Sequence, residues 1–157
     1  MKPSFELTPQ QRYDIVTYRI ENAQKTLGEI KDLVALKYYN TAANRMYYAC
    51  YYAASALLIA NGIATKSHDG VKQMFGLHFI KTGVLPMHLS SIYSTLFKRR
   101  LSGDYDDMFD NTLESVTELY LKAQEFISAV KDMLTNGWLK TPKREPHKKN
   151  INQNFCR

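Results

Sequence analysis

Cysteine, proline and glycine are all scarce in this chain, at two, five and seven of 157 residues. The two cysteines, Cys50 inside an apolar run and Cys156 close to the end, supply no disulfide framework, so a reducing compartment is expected. So few turn-forming residues exclude a sandwich or barrel of many short strands, no segment alternates with period two, and no internal repeat is visible. Long apolar runs are missing too. The longest, residues 46–60, has 15 residues interrupted only by Ser55 and contains four tyrosines, whereas a bilayer span needs about 20 apolar residues. No apolar stretch of the signal-peptide kind follows Met1. The expectation is a cytoplasmic protein without membrane contact.

What is present is a globular composition, with 45% hydrophobic and 23% charged residues, enough for one core. The net charge of +6 is unevenly placed. Residues 138–157 carry +5 of it, from Lys140, Lys143, Arg144, Lys148, Lys149 and Arg157 against Glu145. A near-neutral body of residues 1–137, forming a single domain, and a mobile basic tail over 138–157 are therefore expected, without a broad phosphate-binding face.

Apolar spacing defines an all-α bundle of five helices, two long and three shorter. Thr8-Pro9 is a start signal, and Tyr13, Val16, Ile20, Ala23, Leu27, Ile30 and Val34 then form one stripe. Leu113, Val116, Tyr120, Ala123, Ile127, Val130 and Leu134 repeat it near the other end, with Gly137 as a stop. Between them, Asn40 is expected to cap a second helix over 41–60 that is apolar or tyrosine nearly all round, hence central. Ser67 starts a third through about Lys81, and Pro86 a fourth through Leu101. Gly103, Asp104, Tyr105, Asp106 and Asp107 are expected to form a connection.

Arg45 stands out, since a guanidinium in the first turn of the central helix needs an acidic or ligand partner. Tyr48 and Tyr52 follow on its face. Either the arginine snorkels beside core tyrosines, or it belongs to a polar notch offering charge and aromatic faces to a phosphate or base. Arg99 and Arg100 fall where a helix end favours cations, and Asp104 could accept from Arg45 or Arg100. The four histidines show no metal-ligand spacing, and no cofactor motif is present. His68-Asp69 reads as a capping and loop feature, and Cys50 as an inert core thiol.

Ala43-Asn44-Arg45-Met46-Tyr47-Tyr48-Ala49, Lys66-Ser67-His68-Asp69-Gly70-Val71, Phe79-Ile80-Lys81-Thr82-Gly83, and Arg99-Arg100 ahead of Gly103-Asp104-Tyr105 together resemble the HEPN domain, over roughly residues 10–135. The resemblance implies a five-helix bundle, commonly a homodimer, that handles nucleotide or RNA. Many such proteins are ribonuclease toxins or partners of nucleotidyltransferases encoded beside them. Catalytic members carry an arginine followed, after four to six residues, by a histidine. No arginine here meets that spacing: Arg99 finds Asp104, Tyr105 and Asp106 instead, and an ionised aspartate repels phosphate. The expected function is thus a non-catalytic module, with neither metal nor cofactor, binding a nucleotide, RNA or protein partner in a notch of Arg45, Tyr48, Tyr52, Arg99, Arg100, Asp104 and Tyr105. A metal-independent ribonuclease using Arg99, Arg100 and Tyr105, or a purely structural interaction protein, are the alternatives.

Overall fold

A computed structural model describes residues 6–105 and 110–138, the side chains of 101–105 and 138 excepted. Five helices follow one another: α1 Pro9–Ala35, α2 Tyr39–Ala60, α3 His68–Phe75, α4 Met87–Tyr105 and α5 Leu113–Met133. Single π-helical turns, Gly76–Ile80 and Leu134–Trp138, extend α3 and α5. Among the described residues there is no strand.

The start signals act as their chemistry requires. The Thr8 hydroxyl accepts from the Gln11 amide at 3.1 Å while the Gln11 side chain accepts from the Thr8 amide at 2.9 Å, satisfying two donors that open α1. Thr112 and Ser115 repeat this reciprocal arrangement at α5, and the Ser67 hydroxyl accepts from the Gly70 amide. The 3-4 stripes become the buried faces, through Val16, Ile20, Ala23 and Ile30 on α1 and Val116, Ala123, Ile127 and Val130 on α5. Leu113 is an exception: it is the first residue of α5 and is exposed. Leu119 and Phe126 supply the remaining buried apolar positions of that face.

Packed against α1, α3, α4 and α5 at once, α2 is the central helix. Ala42, Ala43, Ala49, Ala53, Ala54 and Ala56 are all fully buried along it, and such small side chains let neighbouring backbones approach closely. Larger residues fill the remaining space, notably Tyr47, Tyr93, Phe75 and Phe126.

Four local expectations are corrected. First, α2 begins at Tyr39, two residues earlier than a cap at Asn40 would place it, with Tyr38 at the cap position. The Asn40 carboxamide is used across the bundle instead, its Oδ1 accepting from the Asn111 amide at 3.0 Å and from Asn111 Nδ2 at 2.9 Å. Second, Gly103, Asp104 and Tyr105 belong to the last turn of α4 rather than to a connection. Asp106 and Asp107 lie outside the described residues. Third, Gly137 does not end α5, because the π turn carries the winding on to Trp138. Fourth, although their apolar stripes repeat the same steps and imply helices of matched length, α1 and α5 are unequal, at 27 and 21 residues. The tail expected over 138–157 lies outside the described residues except for the backbone of Trp138.

Candidate functional site

Helix α2 presents Tyr47, Tyr48, Tyr51 and Tyr52 over a little more than one turn, so their rings fan around about half of its circumference. Tyr47, at i, points into the core and is fully buried; Tyr48, Tyr51 and Tyr52 are half-buried. The rings touch in sequence, with centroids 5.3 Å apart for Tyr47 and Tyr48, 6.3 Å for Tyr48 and Tyr52, and 5.9 Å for Tyr51 and Tyr52. Such tilted and edge-to-face contacts are favourable for aromatic quadrupoles.

Two residues from other helices complete the cluster. The first is His68, which opens α3 and lies 4.4 Å from the Tyr51 ring, centroid to centroid, and 5.8 Å from both Tyr47 and Tyr48. Its Nδ1 shares a 2.8 Å hydrogen bond with the Tyr47 hydroxyl. The second is Arg100, in the penultimate turn of α4. Its guanidinium carbon sits 4.8 Å from the Tyr47 centroid and 5.5 Å from that of Phe97, in cation–π geometry. Arg100 Nε is buried and makes no hydrogen bond among the described residues. Lys72 Nζ, from α3, covers Phe97 at 4.8 Å.

These placements set the local proton chemistry. Burial pushes the Tyr47 phenol up to about 12, with Tyr93 and Arg100 opposing the rise; the phenol stays neutral at physiological pH. Burial also raises Tyr93, whose hydroxyl has no hydrogen bond of normal geometry among the described residues. Burial first, then the Arg100 charge, lower the His68 imidazole below its ordinary value, and Asp69 counters only in part. His68 is therefore a neutral imidazole at pH 7, held by one nitrogen to a neutral phenol and packed beside a fixed cation. An arginine, a neutral histidine and three half-exposed phenol rings can hold an anion, stack a flat group and exchange a proton.

The residues anticipated for one polar notch are thus divided. Tyr48 and Tyr52 join the ring cluster, and Arg100 caps it through Tyr47. Arg45 turns the other way, towards α1, where its Nη2 donates to Glu29 at 3.5 Å and lies 3.4 Å from Thr26 Oγ1. Because α1 and α2 are adjacent helices joined by a short turn, the end of α1 faces the beginning of α2, and a carboxylate is supplied there. The acidic partner of Arg45 is Glu29, and the arginine is one-third exposed rather than sequestered. Arg99 is half-buried on α4 beside Arg100. For Asp104 and Tyr105 the helical backbone is described and the side chains are not.

His68 was expected only to shape a loop. Its partner Tyr47 precedes it by 21 positions, so no local spacing reveals the contact; the available signal was a polar, titratable side chain at a helix start facing a tyrosine-rich helix. Cys50 behaves as anticipated, fully buried with its thiol held protonated by burial.

Four helices packed around a tyrosine-rich central one, with the cationic Arg100 of α4 reaching back over it, form an all-α bundle of the HEPN class. The HEPN domain model matches residues 16–133, and the chain belongs to the HEPN family. Its relatives include a UPF0332 protein of Thermotoga maritima, 33% identical over 120 residues, covering 76% of this chain and 91% of that one. A Methanocaldococcus jannaschii protein named "Putative toxin MJ0142" is 33% identical over 115 residues, 73% of this chain and 78% of its own length. A second from that organism, "Putative toxin MJ0605", is 32% identical over 115 residues, 73% and 85% respectively.

Proposed function

We propose that this protein is a non-catalytic HEPN module that binds the phosphate of a nucleotide or RNA at the cluster of Tyr48, Tyr51, His68 and Arg100. The observation carrying this reading is the Arg100 guanidinium, braced on two rings with an unpaired buried Nε, next to half-exposed rings on which a base can stack. A fixed guanidinium is worth more to a phosphate than a mobile one, since its position costs no ordering on binding. Arg100→Ala is expected to weaken binding of a fluorescently labelled single-stranded RNA at least tenfold in anisotropy titrations, with an unchanged circular dichroism spectrum. Unchanged affinity sinks the proposal.

One finding favours a second reading, a metal-independent ribonuclease. Although no histidine follows an arginine at the family spacing, folding sets His68 and Arg100 on the same Tyr47 ring, and a neutral imidazole is competent to accept a proton from a ribose hydroxyl. Incubation of labelled RNA with the protein and with His68→Ala separates the readings. Histidine-dependent cleavage selects the enzyme, and intact RNA selects the binding module.

The relatives' toxin names support membership in a toxin system, for which a nucleotidyltransferase is the partner proposed. Homodimerisation is supported by exposed apolar side chains on the bundle, among them Tyr18, Leu36, Tyr38 and Met87. Light scattering should return twice 18.1 kDa; a monomer mass at high concentration counts against it. Cytoplasmic residence is the compartment we infer. Among the described residues no helix is long and apolar enough to cross a membrane.

A further inference from the structure

A cleft of about 580 Å³ opens between α1 and α2, lined by residues of both helices, of the segment before α1 and of the loop after α2. Its walls follow from helical spacing. Arg12 and Arg19 are seven positions apart on α1, two turns along one face, and Tyr51, Ser55 and Ile59 step by four along α2. Gly62, Ile63, Ala64 and Thr65 close the end. Only Tyr51 is shared with the cluster described above.

The two arginines differ. Arg12 Nη1 donates to the Ile59 carbonyl, one of the carbonyls that close α2, so Arg12 is tied to the wall. Gly62, at φ +73°, leaves room beside it: a Cβ there would stand 3.7 Å from Arg12 Nη1. Arg19 is half-buried and lines the same cleft, yet it makes no hydrogen bond or ion pair among the described residues. Ser55 lines the cleft, is 5% exposed, and its Oγ is buried without a hydrogen-bond partner. Glu6 is the single carboxylate among the lining residues, against two guanidinium groups. The orphaned buried hydroxyl is costly unless an occupant satisfies it, and the Arg19 guanidinium, half-buried and without a counter-ion among the described residues, brings positive charge to the same space.

We propose that this cleft is a separate binding site for a phosphate monoester of mononucleotide size, independent of the function proposed above. A tetrahedral dianion presents three oxygens and can be met from both walls, by the Arg19 fork on α1 and the hydroxyls of Ser55 and Thr65 opposite. The volume falls in the range of pockets that enclose a small ligand, and the Tyr51 ring offers a flat face to the organic part. A planar carboxylate would engage Arg19 but would lack an oxygen for the second wall.

Calorimetric titration of the full chain with AMP, adenosine, inorganic phosphate and acetate tests this. AMP is expected to bind, phosphate more weakly, and adenosine and acetate not detectably at millimolar concentration. Arg19→Gln should weaken AMP at this cleft at least tenfold and Ser55→Ala about fivefold, the values of a charge-assisted and an ordinary hydrogen bond. On the unsubstituted protein, AMP should shift the amide resonances of Tyr51, Ser55 and residues 62–65. The proposal is overturned if AMP does not bind, if adenosine or acetate binds equally well, or if Ser55 and residues 62–65 do not shift.

Discussion

At the scale of single residues, the decisive event is the meeting of His68 with Tyr47 and Arg100. Because burial and the neighbouring cation disfavour the imidazolium, the unfolded chain takes up this proton more readily than the folded one. Stability contributed by His68 is fully present above the unfolded value of about 6.5 and is lost as pH falls below it towards the lower folded value. Two-dimensional NMR should show His68 titrating below that ordinary midpoint, and His68→Gln should flatten the acid side of the melting-temperature profile. An ordinary midpoint would refute the packing described. Arg45 has a more modest part. Its pair with Glu29 is partly exposed on both sides, so Glu29→Ala is expected to cost about 0.2–1 kcal/mol in urea denaturation and to leave RNA affinity unaltered. Arg45 was legible as an anomaly in the sequence, whereas its partner was not. Nothing in the spacing of residues 29 and 45 shows that they face each other until the turn between two helices is known.

At the scale of elements, the turn from α1 to α2 holds the one non-glycine residue with positive φ among those described, Lys37 at φ 62°. It receives a hydrogen bond pattern typical of a helix terminator, with the Lys37 amide donating to the Val34 carbonyl and the Tyr38 amide to the Leu33 carbonyl, both at 2.9 Å. A β-carbon in that region is strained, and Lys37→Gly is expected to stabilise the fold by about 0.5–1 kcal/mol, read from the shift of the urea midpoint at constant slope. The helices themselves were legible from stripes and caps, because periodicity and capping are local. Their ends were not. Asn40 looked like a cap and instead clasps Asn111, and Gly103 looked like a break although α4 runs through it. In both cases a residue with strong local preferences is overruled by contacts or winding that short-range pattern cannot encode.

At the scale of the whole molecule, α2 is the axle on which the other helices pack, and its anticipated centrality followed from its lack of a polar face. What could not be anticipated is how the far side of the core interlocks. Phe126 of α5 meets Phe75 of α3 at 5.2 Å and Tyr93 of α4 at 5.5 Å between centroids, so one ring joins three helices. Phe126→Ala should cost about 3–5 kcal/mol by calorimetry or denaturation, the toll of a buried aromatic and the cavity it leaves. A loss under 1 kcal/mol would mean that the three helices do not converge there.

The interior position of Tyr47 also equips the protein with an optical gauge of its own integrity. The Tyr47 phenol turns to phenolate, with the accompanying ultraviolet absorbance, only at about pH 12, above the ordinary tyrosine value, and Tyr93 is delayed as well. In alkaline spectrophotometric titration the last fraction of absorbance is therefore expected to emerge together with loss of helicity, since the unfolded chain surrenders those two protons sooner than the folded one. Substitution of Tyr47 by phenylalanine should remove its share of that late step.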